Sequence, residues 1–358
     1  MKTKKLVLFA MLSSIIAIVM IVSACTAPST SPTGTEPTET EEETIELTFG
    51  GLWPPNHPFS EATKQWIEKI EEETNGRVQI EPFWGGALYG PGESATELAK
   101  GVADIGDYSG AYAKTGFDFE KSMRMAFWGV YEEDTIIEVW EEVRAKFPEL
   151  NQEHEDAGIK VMCWGPIPPY QLITVGKAVR SADDFQGLML KTTGDFSKVA
   201  SKLNAEGTTI SMGDTYTALQ KNTIDGGFVP YETLGSFKFA EVADYVTELN
   251  IASAPAGHWG MDMDVFNDLP EDIQQVFVDN VDWFSNKVGE LAWGAEQAGK
   301  DLAKEEGVEF ITLPQEELDA VYAACDEIAS AEMADLDDQG LPGSAVYQEV
   351  RTLIEEYK

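Results

Sequence analysis

Basic residues, histidines and cysteines are all scarce in this chain of 358 residues, and each shortage narrows the possible functions. Only 25 lysines and arginines stand against 63 aspartates and glutamates, a formal net charge of −38. A chain so acidic is repelled by phosphate backbones and by anionic lipid, which argues against nucleic acid as a partner and against lying flat on a membrane. The charge itself serves solubility or adaptation to salt. A cation placed in a cleft of such a protein is therefore a pointed choice. The histidines, His57, His154 and His258, are scattered, and no Ser-His-Asp arrangement accompanies them, so the sequence offers no catalytic set. Beyond Cys25 the cysteines are Cys163, in an apolar strand, and Cys325, in a helix. They read as buried small hydrophobes or as a disulfide, and no zinc spacing exists. No metal and no cofactor are expected. Asp262 and Asp264 alternate with Met261, Met263 and Val265 as the solvated face of a strand over residues 261–266, with no calcium loop after them.

A long apolar run occurs once. Lys2, Lys4 and Lys5 precede the apolar residues 6–22, and Val22, Ser23, Ala24 and Cys25 fit a bacterial lipobox. Residues 1–25 are thus expected to be a lipoprotein signal peptide, with Cys25 acylated and the mature chain anchored by lipid to the outer face of a membrane, in the periplasm or at the cell surface. An uncleaved single span is the alternative, for which the run is short. Residues 26–44 turn to Thr, Pro, Ser and Glu, with nothing to offset ordering entropy, and are expected to be a disordered tether.

From residue 45 the patterning is that of an α/β protein large enough for two lobes. Residues 45–49 alternate as a strand, and a Gly- and Pro-rich loop with Trp53 leads to a helix. Residues 77–84 form a second strand ending at Trp84. Residues 101–106 (GVADIG) enter a third, whose following loop holds Tyr108 and Ser109. Residues 159–164 read as a strand ending at Trp164, followed by a stiff segment with Pro166, Pro168, Pro169 and Tyr170. The densest signals lie between Val179 and Pro230. A strand at 188–192 brings Lys191 to its C-terminal end, a helix follows at 195–203, a strand at 208–212, a helix at 215–221 capped by Asp214, and a turn into Phe228. Open α/β sheets bind ligands beyond the carboxyl ends of their strands, which puts Lys191 and Phe228 at a rim.

Three segments carry a resemblance. Residues 181–191 (SADDFQGLMLK), residues 216–226 (YTALQKNTIDG) followed by Pro230, and residues 269–274 (LPEDIQ) are similar to motifs of the substrate-binding proteins of TRAP transporters, the DctP-type family. The resemblance implies a two-lobed, periplasmic-binding-protein-like fold with cross-over hinge strands and long C-terminal helices. It implies lobe I at 45–164 plus 260–300, lobe II at 165–259 plus 301–335, and a helical segment at 336–358. It also implies an extracytoplasmic receptor, not an enzyme, that closes on a small organic acid and delivers it to the TRAP membrane permease. The family's strand-end arginine, which pairs with the ligand carboxylate, is Lys191 here. Val229 stands in place of an asparagine, and the arginine that many relatives carry near Tyr170 is missing from that segment. The site expected on this basis has Lys191 as its cation and Trp53, Trp84, Tyr108, Trp164, Tyr170, Phe228 and Tyr231 as contacts. Trp84 fits core packing equally well. The loss of arginine together with these aromatic residues favours an aromatic or otherwise apolar acid. The rival readings are a lipid-anchored secreted hydrolase and a surface sensor that presents its ligand to a receptor.

Overall fold

The computed structural model describes residues 44–194, 196–251 and 259–357. The expected signal peptide with Cys25, all of the expected tether but its last residue, and the segment 252–258 lie outside the described residues. Among those described, no helix is long and apolar enough to cross a membrane. The strands are β1 (Ile45–Gly50), β2 (Val78–Phe83), β3 (Ile105–Asp107), β4 (Ile159–Cys163), β5 (Tyr170–Thr174), β6 (Met189–Thr192), β7 (Glu206–Thr209), β8 (Gly226–Val229), β9 (Tyr245–Ile251), β10 (Trp259–Asp262) and β11 (Glu309–Thr312). They form a five-stranded sheet, β2-β1-β3-β10-β4, and a six-stranded sheet, β11-β9-β5-β8-β6-β7. Each sheet is covered by helices, which makes two lobes of α/β architecture.

The chain leaves the first sheet after β4 and enters the second at β5, then returns between β9 and β10. Because β4 lies next to β10 in one sheet and β5 next to β9 in the other, the two connections start and end side by side. Strands β5 and β8, interior to the second sheet, are buried along their whole length. Close approach decides one glycine. A Cβ on Gly106 would stand 1.9 Å from the Tyr89 hydroxyl, which donates to the Gly50 carbonyl at 3.1 Å and so ties the ends of β1 and β3 together.

Long helices bridge the lobes. The helix Val281–Glu305 packs on the helix Pro58–Glu73, which follows β1, and on Glu232–Ser236, which follows β8. The helix Gln315–Asp338 packs on Asp118–Ala126 in the first lobe and on Phe196–Lys202 in the second.

Two local expectations are corrected. Residues 261–266 are not one strand: β10 stops at Asp262, whose carboxylate accepts from the amides of Asp264 (2.9 Å) and Val265 (3.0 Å) and starts the helix Met263–Asp268. Asp262 is thus a buried helix cap, not part of a wet strand face. The strand expected at 208–212 is β7, ending at Thr209, and Ser211 caps the helix Met212–Gln220 through the Asp214 amide. Pro270 is followed by two helices, Glu271–Asp279 and Val281–Glu305, divided at Asn280, whose side chain donates to Glu73 at 2.6 Å. Of the two readings of Cys163 and Cys325, the structure shows the first: both are buried and free.

Candidate functional site

Between the two sheets lies a cavity of about 310 Å³. Its wall is made of segments that follow strands of both: Leu52 to Pro54 after β1, Gly85 and Gly86 after β2, Tyr108 and Ser109 after β3, Thr193 after β6, and Ser211 to Gly213 after β7. Ile167 and Tyr170, on the first connection between lobes, complete it together with Tyr112, Phe237 and Arg124. This is the place where parallel strands leave unpaired ends and ligands collect. A larger hollow of about 920 Å³ sits on the first lobe, walled by the acids Glu93, Glu97, Asp118, Glu149, Glu153 and Asp156 with Lys100 and Lys114 at its edge. A solvated acidic bowl of that kind holds an organic anion poorly.

The cation of the smaller cavity is Arg124, only 6% exposed, near the end of the helix Asp118–Ala126. Its Nη2 donates to the Tyr170 hydroxyl at 2.7 Å, and its guanidinium lies over the rings of Tyr170 (5.2 Å) and Phe196 (5.7 Å). Burial alone would lower its pKa. Tyr170, Glu120 and Tyr112 reverse that and hold it above the ordinary arginine value, so it is charged at every relevant pH. Since the Tyr170 oxygen accepts from Arg124, its own proton is directed elsewhere and can be donated to a ligand. Tyr112 closes the 3₁₀ turn Gly110–Tyr112, and burial followed by the field of Tyr170 keeps its phenol protonated. Sequence reasoning missed Arg124. The available signal was a lone arginine on the helix nearest the loop of Tyr108, in a chain poor in cations.

Lys191 does stand near the C-terminal end of β6 and is 1% exposed, so its side chain is desolvated and does not point to bulk water. It runs across Gly227 of the neighbouring strand β8, where an added Cβ would come within 2.9 Å of the lysine's own Cβ. Burial, and then repulsion from Arg124, lower its pKa to about 7. It is therefore a titratable amine coupled electrostatically to Arg124, and it does not form the cavity wall.

The expected aromatic contacts divide. Trp53, Tyr108 and Tyr170 line the cavity. Tyr108 presents its ring, because its hydroxyl is bonded to His154 Nδ1 at 2.8 Å, and burial lowers the His154 pKa to about 3, leaving that imidazole neutral. Trp53 is held from behind by Asp107, which accepts from the Leu52 amide at 2.8 Å; burial pushes the Asp107 carboxyl up to about 8, while the amides of Leu52 and Trp53 act the other way. The remaining four lie elsewhere, each for a packing reason. Trp84 rests on Gly51, where a Cβ would stand 2.6 Å from its ring, and on Phe49. Trp164 packs among Trp140, His154 and Arg144. Phe228 stacks between Phe185 and Phe196, one layer beneath Tyr170. Tyr231 donates to Glu248 at 2.8 Å with the Lys300 ammonium 4.1 Å from its ring, under the helix Val281–Glu305.

Residues 49–335 match the family model DctP, described as bacterial extracellular solute-binding protein, family 7. The fold is similar to that of a TRAP periplasmic solute-binding protein from Desulfovibrio salexigens, an open complex whose ligand site holds the C-terminus of a symmetry mate. That likeness covers 88% of this chain and 97% of the other at 26% identity, with a TM-score of 0.72. It is also similar to a TRAP solute-binding protein from Rhodoferax ferrireducens with copurified benzoate (22% identity, 87% and 98% covered, TM-score 0.76). A third, from Anaerococcus prevotii with bound D-glucuronate, shares 19% identity over 88% of this chain and 99% of that one, with a TM-score of 0.74.

Proposed function

This chain belongs to the family of bacterial extracellular solute-binding proteins, family 7, and from that premise we propose that its interlobe cavity captures a small aromatic monocarboxylate for delivery to a TRAP membrane permease. The observation that carries this reading is a buried Arg124, paired with the Tyr170 hydroxyl, in the wall of a cavity that also presents Trp53, Tyr108, Tyr112 and Phe237. A guanidinium in a low-dielectric, water-poor pocket attracts a carboxylate far more strongly than one in bulk water, and its planar fork suits that group. Aromatic faces suit an aromatic body. The fold does not choose the ligand, since similar folds hold benzoate in one relative and D-glucuronate in another. The ring faces of Trp53, Tyr108 and Phe237 favour the former, and two hydroxyls that a sugar acid would need are engaged, Tyr108 with His154 and Ser211 with Asp214 at 2.6 Å. Lys191, when protonated, adds a positive field coupled to that of Arg124.

The lobe boundaries proposed are those implied by the resemblance, 45–164 plus 260–300 against 165–259 plus 301–335. The lipid anchor at Cys25 rests on the lipobox alone. Cys25→Ala is expected to shift the protein from the membrane fraction to the soluble extracytoplasmic fraction. The ligand reading is tested by calorimetric titration with benzoate, succinate and D-glucuronate. Tight binding of benzoate is expected, and binding confined to the sugar acid would overturn the aromatic assignment.

A further inference from the structure

Behind the wall residues Trp53 and Phe237 lies a buried polar contact between the lobes that ligand recognition does not use. His57 caps the first-lobe helix Pro58–Glu73 and is 1% exposed; its Nδ1 accepts from the Phe59 amide at 3.2 Å. An Nδ1 that accepts cannot carry the proton of a neutral imidazole, so the proton sits on Nε2. Nε2 faces Glu232 of the second lobe, 3.4 Å from its Oε2, and Glu232 is itself buried. That separation is an electrostatic contact just beyond a good hydrogen bond. The same Glu232 oxygen accepts from the Ser236 hydroxyl at 2.6 Å, and the Glu232 amide donates to Glu296 of the helix Val281–Glu305 at 2.8 Å. The His57 ring stacks on Trp53 at 4.6 Å and 24°, and meets Phe237 edge-on at 5.6 Å. Trp53 and Phe237 are wall residues contributed by opposite lobes.

We propose that His57 is a positioning residue: its Nε2 proton, directed at Glu232, draws the lobes together and sets the stance of Trp53 toward Phe237, so that this contact steadies the aromatic half of the cavity. A small shift in either lobe suffices to shorten the contact to a hydrogen bond. A histidine serves here because one ring meets three demands: an acceptor at the helix start, a donor across the interface and a flat face for Trp53. Asparagine reproduces only the first of these. Glutamine places an amide N–H near the position of Nε2.

The test uses the full chain carrying Cys25→Ser, with spin labels on Val102→Cys in the first lobe and Met189→Cys in the second. Both positions are exposed, and Cys163 and Cys325 are buried. In the ligand-free protein, His57→Asn is expected to broaden the interlobe distance distribution, and His57→Gln to restore most of the original width. Glu232→Leu, which breaks the bridge from the other side, is expected to match His57→Asn and serves in its place if that variant fails to fold. Unchanged distributions in His57→Asn or Glu232→Leu, or failure of His57→Gln to restore the width, would overturn the proposal. This arm contains no ligand, so its outcome is separate from the choice of benzoate. A second arm rests on the proposed function: benzoate affinity is expected to fall at least about tenfold in His57→Asn and to recover in His57→Gln. Loss without recovery would assign His57 to general stability and overturn the positioning role.

Discussion

Arg124 and Lys191 place two cationic side chains inside a protein of net charge −38, and their surroundings make them behave differently. Arg124 cannot shed its proton, so its removal takes away the main attraction for a carboxylate. Arg124→Gln is expected to weaken benzoate binding by about a hundredfold or more, the scale of losing one member of a buried charge pair, with Arg124→Lys recovering only part because the fork is gone. Titration calorimetry reads both. Lys191, its pKa lowered to about 7 by burial and by Arg124, is substantially neutral in the empty protein above neutrality. A carboxylate arriving nearby favours the charged form, so binding above that pH draws in a proton. Affinity is therefore expected to fall as pH rises through about 7, by at most about tenfold per pH unit. Lys191→Met is expected to flatten the profile. A slope unchanged in that variant would detach Lys191 from the site.

At the scale of elements, the caps show where local rules suffice. Asp262 starts its helix with its own carboxylate, so Asp262→Ala is expected to cost about 1 kcal/mol of stability and Asp264→Ala distinctly less, a difference readable in denaturant midpoints. The helix that carries Arg124 works otherwise. Its N-terminal neighbour Phe117 sits at φ 56°, unusual for a bulky side chain, and makes no side-chain cap. The cap comes from Glu153, 34 residues away, which accepts from the amides of Phe119 (3.1 Å) and Glu120 (2.9 Å). Local sequence does not announce such a helix start, and this is why the element that supplies the cavity's guanidinium was not foreseen.

For the molecule as a whole, three carboxyls, the buried Asp107 and Glu296 and the half-buried Glu153, have pKa values pushed up to about 8, chiefly by desolvation. Each binds a proton in the folded state at pH values where the unfolded chain has lost it. Their stabilising contribution is thus full below the ordinary carboxylate range and is lost as pH rises toward about 8. Lys191 acts in the opposite sense, adding stability as pH rises between about 7 and its ordinary 10.5. Across the range from about 5 to 8 the three acids prevail, and repulsion among surface acids points the same way. The melting temperature by scanning calorimetry is expected to be higher near pH 5.5 than near pH 8, and added salt is expected to narrow the gap.

Much of this protein was legible before any tertiary contact was known. Alternating runs specified β1 and β2, and the motif segments at 181–191 and 216–226 pointed to a two-lobed solute receptor; these signals are local, set by periodicity and by the conformational preferences of Gly, Pro, Ser and Asp. Which side chains share the cavity was a different matter. Trp53, Tyr108 and Tyr170 reach it while Trp164, Phe228 and Tyr231 turn into cores, although all six were expected on the same grounds. A residue's place near a strand end limits where its Cα lies, but the face it presents depends on what packs against it from distant parts of the chain. Arg124 and Tyr170, 46 residues apart, meet only because a helix capped by Glu153 lies against the first connection between the lobes. Local sequence therefore determined the elements and the kind of protein, and tertiary packing alone selected the charge that a ligand would meet.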